Sequence, residues 1–170
     1  KPSKRVEIYA RVRRQNRQRN TTEEVTGVDP LVPVQQTNYR FNASYKVSES
    51  VSLRTRLESI DYVRGSSPLE HGFLIYQDVV HRPLKSMFEF SGRIALFATD
   101  SYNARIYAYE NDLIGLFSIP PYYGRGMRWY GMVRATPLRR MDVWVRYGAW
   151  IYNGQDRISS GLQEISGNLK

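Results

Sequence analysis

In NYRFNASYKVSESVSLRTRLE, residues 38–58, apolar and polar residues alternate almost without error. Tyr39 and Phe41 begin a series of apolar odd positions, and the same order resumes at Val51 after a break at 48–50. A period of two residues is the geometry of a β-strand with one apolar and one polar face. A soluble sandwich hides its apolar face, whereas a transmembrane barrel turns it towards lipid and lines a wet lumen with the polar face. The stretch therefore predicts two antiparallel strands and leaves both environments open.

Length and composition narrow the class of protein. The 170 residues suffice for one domain, residues 1–170, and the absence of cysteine excludes a disulfide framework and thiolate metal sites. No run approaches the roughly 18 apolar residues that a membrane helix needs. A mean hydropathy of −0.53 does not exclude a membrane barrel, because alternating strands dilute hydropathy. The 13 Tyr, 6 Phe and 3 Trp suit the aromatic girdles of such barrels and suit sandwich cores as well.

Alternation continues through most of the chain and predicts strands joined by connections of unequal length. The predicted strands cover residues 6–12, 38–47, 51–60, 73–80, 88–96, 127–135 and 143–151. The short breaks lie at 48–50, 82–86 and 136–140, and the long loops at about 14–35, 63–72 and 98–126. Short and long connections alternate along the chain if 104–111 is an excursion within a loop. Transmembrane barrels show this alternation, because their short turns lie on one side of the membrane and their long loops on the other. We therefore expect an all-β, antiparallel, up-and-down transmembrane β-barrel with seven to eight strands in this chain.

The number of predicted strands bears on whether they can close into a barrel by themselves. Single-chain bacterial barrels have an even number of strands, and an unpaired strand edge inside hydrocarbon leaves backbone groups unsatisfied. The edge of the 143–151 strand should therefore pair with a returning strand after Lys170, with upstream strands or with another chain, and not with 6–12. We expect this chain to be the C-terminal part of a larger barrel.

Three motifs carry a resemblance to a known family. They are IPPYYGRGMR at 119–128, RIYAYEND at 105–112 and SGLQEISGN at 160–168. Together they resemble the C-terminal barrel region of Bacteroidota outer-membrane proteins that contain a helix-hairpin-helix domain, and the likeness is strongest after Gly72. The resemblance implies a barrel in the outer membrane of a Gram-negative cell envelope. It brings no catalytic motif, and the helix-hairpin-helix part with its DNA-binding role would lie upstream of these residues.

The parity of the strands predicts which side chains share a face. Apolar residues are predicted to face lipid at Tyr39, Phe41, Val51, Leu53, Phe88, Ile94, Val133 and Val145. Basic residues are predicted to line the lumen at Arg11, Arg13, Arg40, Arg54, Arg56, Arg93, Arg128, Arg134 and Arg146, and acidic ones at Glu7, Glu58, Glu89 and Asp142. Such an interior is either packed, with arginines and carboxylates satisfying one another, or a basic pore that favours anions. The predicted function is a membrane-embedded structural, pore or transport component.

The basic composition raises an alternative, a soluble antiparallel barrel or sandwich that binds anionic partners such as nucleic acid. A net charge of +9 and a pI of 9.9 are typical of such proteins. A sheet that reads nucleic acid combines stacking aromatics and basic residues on one face, but Tyr39 and Phe41 lie opposite Arg40 and Lys46. This segregation favours the lipid bilayer as partner, together with other envelope proteins or the missing strands of a larger barrel. Arg14, Arg17 and Arg19 are expected in a solvated external loop.

Catalysis and metal binding have little support in the sequence. His71 and His81 are the only histidines, and neither begins a metal-binding motif such as His-Glu-x-x-His. No Gly-x-Ser-x-Gly nucleophile motif occurs. Asp100, Glu110 and Asp112 could hold a calcium ion, but hydrated surface acids are the simpler expectation. We therefore predict a protein that is not an enzyme and that has no cofactor and no metal.

Overall fold

Seven long antiparallel strands dominate the fold. The computed structural model describes residues 5–20, 27, 30–154, 157–158 and 165–170, and no helix occurs among them. The long strands are β1 (Val6–Asn20), β2 (Leu31–Lys46), β3 (Val51–Arg64), β4 (Glu70–His81), β5 (Phe88–Thr99), β8 (Arg125–Leu138) and β9 (Met141–Tyr152). They pair in the order β1-β2-β3-β4-β5-β8-β9, each with its neighbour in antiparallel register. The predicted all-β, antiparallel, up-and-down sheet is confirmed.

In the described part of the chain, four short strands lie outside this sheet. β6 (Ile106–Tyr107) pairs with β7 (Pro121–Tyr122), and β10 (Arg157–Ile158) pairs with β11 (Ile165–Ser166). Because β5 pairs directly with β8, residues 104–111 do not extend the main sheet. Residues 104–111 therefore lie within the connection between β5 and β8, which spans 100–124. This is the condition under which the short and long connections alternate.

The predicted long loop at 14–35 is wrong. β1 continues to Asn20 and β2 begins at Leu31, with Arg17 opposite Val34 in an unbroken ladder. Polar side chains on both faces conceal the period of two, but the backbone hydrogen bonds of a ladder do not depend on them. Arg14, Arg17 and Arg19 therefore lie on a strand and not in an external loop. The predicted loop at 63–72 is also shorter in the structure, since β3 ends at Arg64 and β4 begins at Glu70, so that the loop spans 65–69.

The two edges of the sheet are β1 and β9, and no ladder joins them within the described residues. The end of β9 has a partner in the chain's own last residues. Lys170 donates its backbone N–H to the Trp150 carbonyl at 2.9 Å, and Tyr152 donates to the Asn168 carbonyl at 2.8 Å. We expected the partner of this edge outside residues 1–170, in a returning strand, in upstream strands or in another chain, whereas the structure pairs the end of β9 with 168–170.

Residues 100–124, the covering segment, lie across one face of the sheet. Ala104, Ile106, Ala108 and Tyr122 are each at most 1% exposed. They pack in one apolar cluster with side chains of the sheet that include Val34, Ile60, Leu74, Tyr76 and Phe97. Gly72 makes this close approach possible, since a Cβ there would lie 2.2 Å from the Ala104 carbonyl oxygen. We call the face beneath this segment the covered face and the opposite side of the sheet the apolar face.

Candidate functional site: the charged covered face

The two faces of the sheet reverse the burial pattern of a soluble protein. On the covered face Arg93 and Glu58 are each 3% exposed, although both carry charge. On the apolar face Ile94 and Val145 are 60% and 64% exposed. Soluble proteins almost never bury charged side chains unless these are paired, and they rarely leave a large contiguous apolar surface open. The ion pairs on the covered face therefore determine which of its charges are neutralised and which are free to bind a ligand.

The residues predicted to face lipid all lie on the apolar face. Tyr39, Phe41, Phe88, Ile94 and Val145 are exposed, and Val51, Leu53 and Val133 are partly exposed. The predicted interior basic residues lie on the covered face with unequal burial. Arg56, Arg93 and Arg128 are buried, Arg40, Arg134 and Arg146 are partly exposed, and Arg11, Arg13 and Arg54 are exposed. Of the predicted acids, Glu58 is buried, Glu89 and Asp142 are partly exposed, and Glu7 is exposed.

Glu58 is the acceptor for two arginines. Arg40 lies directly opposite it on β2 and donates both Nε and Nη2, each at 3.0 Å. Arg56, two residues along β3, donates to the same carboxylate and also to the Tyr107 carbonyl of the covering segment at 3.3 Å. A bidentate arginine–carboxylate pair is among the strongest polar contacts in proteins. This cluster therefore ties β2, β3 and the covering segment together.

Arg93 and Asp78 form a second buried pair between β4 and β5. Their side chains are only 2% and 7% exposed, and Arg93 also donates Nη1 to the Tyr109 carbonyl at 2.7 Å. The Tyr76 ring lies 3.7 Å from the guanidinium carbon, within the range of a cation–π contact. Asp78 is a site residue that the sequence analysis missed, although its even position on β4 was the available signal.

Glu110 is the centre of a third cluster and comes from the covering segment. Arg128 donates Nε and Nη2 to its two oxygens at 3.2 and 3.1 Å, Tyr122 donates its hydroxyl at 2.8 Å, and Arg146 makes a further ion pair. Burial alone would raise the pKa of Glu110, but the hydrogen bonds and charges of Arg128, Tyr122 and Arg146 outweigh it and hold the pKa below its usual value. The carboxylate is therefore charged at neutral pH.

The expectation of hydrated surface acids is wrong for Glu110, which is 1% exposed. Its partners Arg128 and Arg146 are 18 and 36 residues away, so spacing could not reveal them. Alternation within 104–110, whose even positions are all buried, was the one usable signal. Asp112 beside it accepts a hydrogen bond from Arg146 at 3.4 Å.

A more open cluster lies near the short turns. Arg134 donates to Glu89 at 3.1 Å and to both Asp142 oxygens at 3.1 and 3.3 Å, and Arg82 pairs with Glu89 at 3.2 Å. These side chains are about a third exposed or more, so each pair contributes less to stability than the buried ones. Arg82, Glu89 and Arg134 border a cavity of about 370 Å³ that Trp144 and Ile114 also line.

The arrangement offers ion pairing and packing, and among the described residues neither histidine is hydrogen-bonded to a serine or threonine. His71 meets Asp61 at 2.9 Å on the exposed side of the sheet, and His81 stacks on Phe90. Within the described residues, no group of three His, Cys, Asp or Glu side chains could hold a metal ion. No helix long and apolar enough to span a membrane occurs in this part of the chain.

Comparisons of this chain with protein-family models, with curated proteins and with solved structures find no match.

Proposed function

We propose that this chain forms part of the wall of an outer-membrane β-barrel and acts as a structural, pore or transport component without enzymatic activity. Its apolar face contacts lipid, and its covered face, with the arginine–carboxylate clusters, forms the interior. The resemblance of the motifs at 105–112, 119–128 and 160–168 to Bacteroidota outer-membrane barrels supports this location.

The reversed burial of the two faces carries the proposal. Arg93 and Asp78 lie opposite each other and are buried, while the flanking pair, Ile94 and Gln77, points to the other side. Water would favour the opposite arrangement, since exposed apolar surface costs free energy and buried charge needs pairing. Lipid on one side and a polar interior on the other stabilise both.

The dimensions of the apolar face support the same conclusion. Outward apolar positions run from Met127 to Ala135 on β8 and from Val143 to Ile151 on β9. A transmembrane strand tilted in the bilayer needs about 9–11 residues. Polar side chains such as Asp61 and His71 lie on this face near the longer connections, beyond the apolar positions. A membrane interface would lie at that level.

The covering segment makes a packed interior the better supported form of this proposal. Its backbone accepts hydrogen bonds from Arg56 and Arg93, and its Glu110 binds Arg128 and Arg146. Passage past these residues would require the segment to leave its place. An open, anion-selective pore is the second form, and it applies to the part of the face that the segment leaves free.

Detergent dependence tests the proposal. We expect the purified chain to remain monodisperse only with detergent or lipid, and to migrate faster on a denaturing gel when it is not boiled. A protein that is monodisperse without detergent would favour the alternative, a soluble barrel or sandwich in which a second layer covers Ile94 and Val145.

A further inference from the structure

A row of arginines on β1 borders a groove that the covering segment does not fill. Arg11, Arg13, Arg17 and Arg19 occupy alternate positions of one face, interrupted by Gln15, and Arg105 of the covering segment faces them across the groove. The groove has a volume of about 310 Å³. Alternate residues of a strand lie roughly 7 Å apart, so the row extends over roughly 26 Å.

This groove lacks the carboxylates that neutralise the rest of the covered face. Glu58 is the only acid among its described lining residues, and it is already bound by Arg40 and Arg56. Arg17 donates to the neutral Gln36 amide oxygen at 2.9 Å. Arg105 is held by the Tyr107 hydroxyl and the Tyr102 carbonyl, both at 2.7 Å, so its charge is also unbalanced.

Two further features of the groove are unfavourable. Arg11 lies directly opposite Arg40 in the β1–β2 register, and like charges in that position destabilise a sheet. The Tyr62 side chain is 3% exposed, and its hydroxyl has no hydrogen-bond partner among the described residues. A bound oxyanion would offset the repulsion and accept the hydroxyl proton.

We propose that this groove binds an elongated, soluble oligoanion that carries several phosphate-type groups. Guanidinium groups match such oxyanions in a bidentate geometry, and a row of them favours a ligand with repeated charge over a single ion. Lipid headgroups do not fit, because the groove lies on the face opposite Ile8 and Val12 of the apolar face. Nucleic acid is disfavoured, because single-stranded nucleic acid stacks successive bases on several aromatic rings. Of the described aromatic residues that line the groove, Tyr62 is buried and only Tyr107, at 46% exposed, presents its ring. The inference goes beyond the proposed location in the membrane, and only the exclusion of lipid headgroups rests on that location.

Isothermal titration of the full chain in zwitterionic detergent, with inorganic tripolyphosphate as probe, tests the proposal. We expect saturable binding that weakens as salt is added and exceeds the binding of orthophosphate. Substituting Arg13→Gln together with Arg17→Gln should weaken binding about tenfold or more, because charged hydrogen bonds are lost. Arg14→Gln is the matched control: it removes a charge from the same strand, but its side chain lies on the opposite face and bonds Gln35. It should change the affinity less than about twofold.

Tyr62→Phe provides a second variant that leaves the net charge unchanged, and it should also weaken binding. No binding of tripolyphosphate to the unmodified protein, or an equal loss in Arg14→Gln, would overturn the proposal. A single-stranded oligonucleotide that binds more tightly than a polyphosphate of equal charge would overturn it in favour of nucleic acid. The detergent requirement is measured separately, so failure of anion binding and failure of the membrane proposal are distinguishable.

Discussion

Arg93 and Asp78 lie directly opposite each other on β5 and β4 and share two hydrogen bonds, at 2.5 and 2.8 Å. One residue further along β5, Ile94 is 60% exposed. Breaking a buried pair of this kind leaves an uncompensated charge, so the stability of the covered face depends on its ion pairs. The stability of the apolar face depends instead on what surrounds it.

Charge placed on the apolar face should destabilise the protein in lipid. Leu53→Arg should lower the free energy of unfolding by about 2–4 kcal/mol if Leu53 lies near the bilayer midplane. Ser52→Arg is the matched control, because Ser52 is on the covered face beside a cavity of about 620 Å³ and should cost much less. Urea unfolding in lipid vesicles measures both. Equal effects would contradict a lipid-facing period of two.

Removing the charge of Glu110 should release the covering segment. Glu110→Gln keeps the shape of the side chain but leaves the buried Arg128 without its carboxylate and the partly exposed Arg146 with Asp112 alone. Breaking a buried ion pair in this way costs about 3–5 kcal/mol in comparable sites. The rate of limited proteolysis within 100–124 should rise, and amide exchange at 104–108 should accelerate. Glu49→Gln, in the exposed turn after β2, should leave both rates unchanged. An unchanged rate of proteolysis in Glu110→Gln would show that the Glu110 carboxylate does not hold the covering segment in place.

Acid should weaken the same docking. The pKa of Glu110 is lowered in the folded protein, so the stabilisation is fully present above the ordinary carboxyl pKa of about 4.3 and is lost as the pH falls through the folded value. Amide exchange of 104–108, corrected for its intrinsic pH dependence, should therefore show loss of protection below about pH 4. This pH dependence should be absent in Glu110→Gln. A loss of protection that begins above about pH 6 could not come from this group.

A methyl group at position 72 should also displace the covering segment. Gly72→Ala would bring Cβ to 2.2 Å from the Ala104 carbonyl oxygen and 2.5 Å from the Ile60 side chain, distances that neither neighbour can accept without moving. Gly131→Ala is the control, because its Cβ would meet nothing within 4 Å. We expect increased proteolysis within 100–124 for the first variant only. Similar behaviour of both variants would mean that the close approach at Gly72 does not matter for docking.

The strands were predictable from the sequence where one face is apolar and the other polar. Between Tyr39 and Lys46 the period of two fixes the strand and its facing, because a shift of one residue would exchange the two faces. Between Arg14 and Asn20 both faces are polar, so the same ladder gives no period and was mistaken for a loop. The polarity of the side chains indicates the surroundings of a segment and does not determine its backbone conformation.

The charged site was predictable only in part. Parity places Arg93 and Arg128 on the covered face, but their acceptors depend on strand register and on the path of the covering segment. Glu110 comes from a segment outside the main sheet, and its partners on β8 and β9 are brought near only by the fold. The groove beside β1 was not predicted, because Arg17 and Arg19 were assigned to a solvated loop.

Spin-label accessibility in lipid vesicles measures directly whether the apolar face contacts lipid. The chain contains no cysteine, so single cysteines can be introduced without removing any other. Labels at Ile94 and Val145, on the apolar face, should collide often with oxygen and rarely with a water-soluble nickel chelate. Labels at Ser52 and Ser91, on the covered face, should show a lower ratio of oxygen to nickel collisions. If Ile94 and Val145 are as accessible to the nickel chelate as an exposed turn residue such as Glu49, the apolar face does not contact lipid and the account is contradicted.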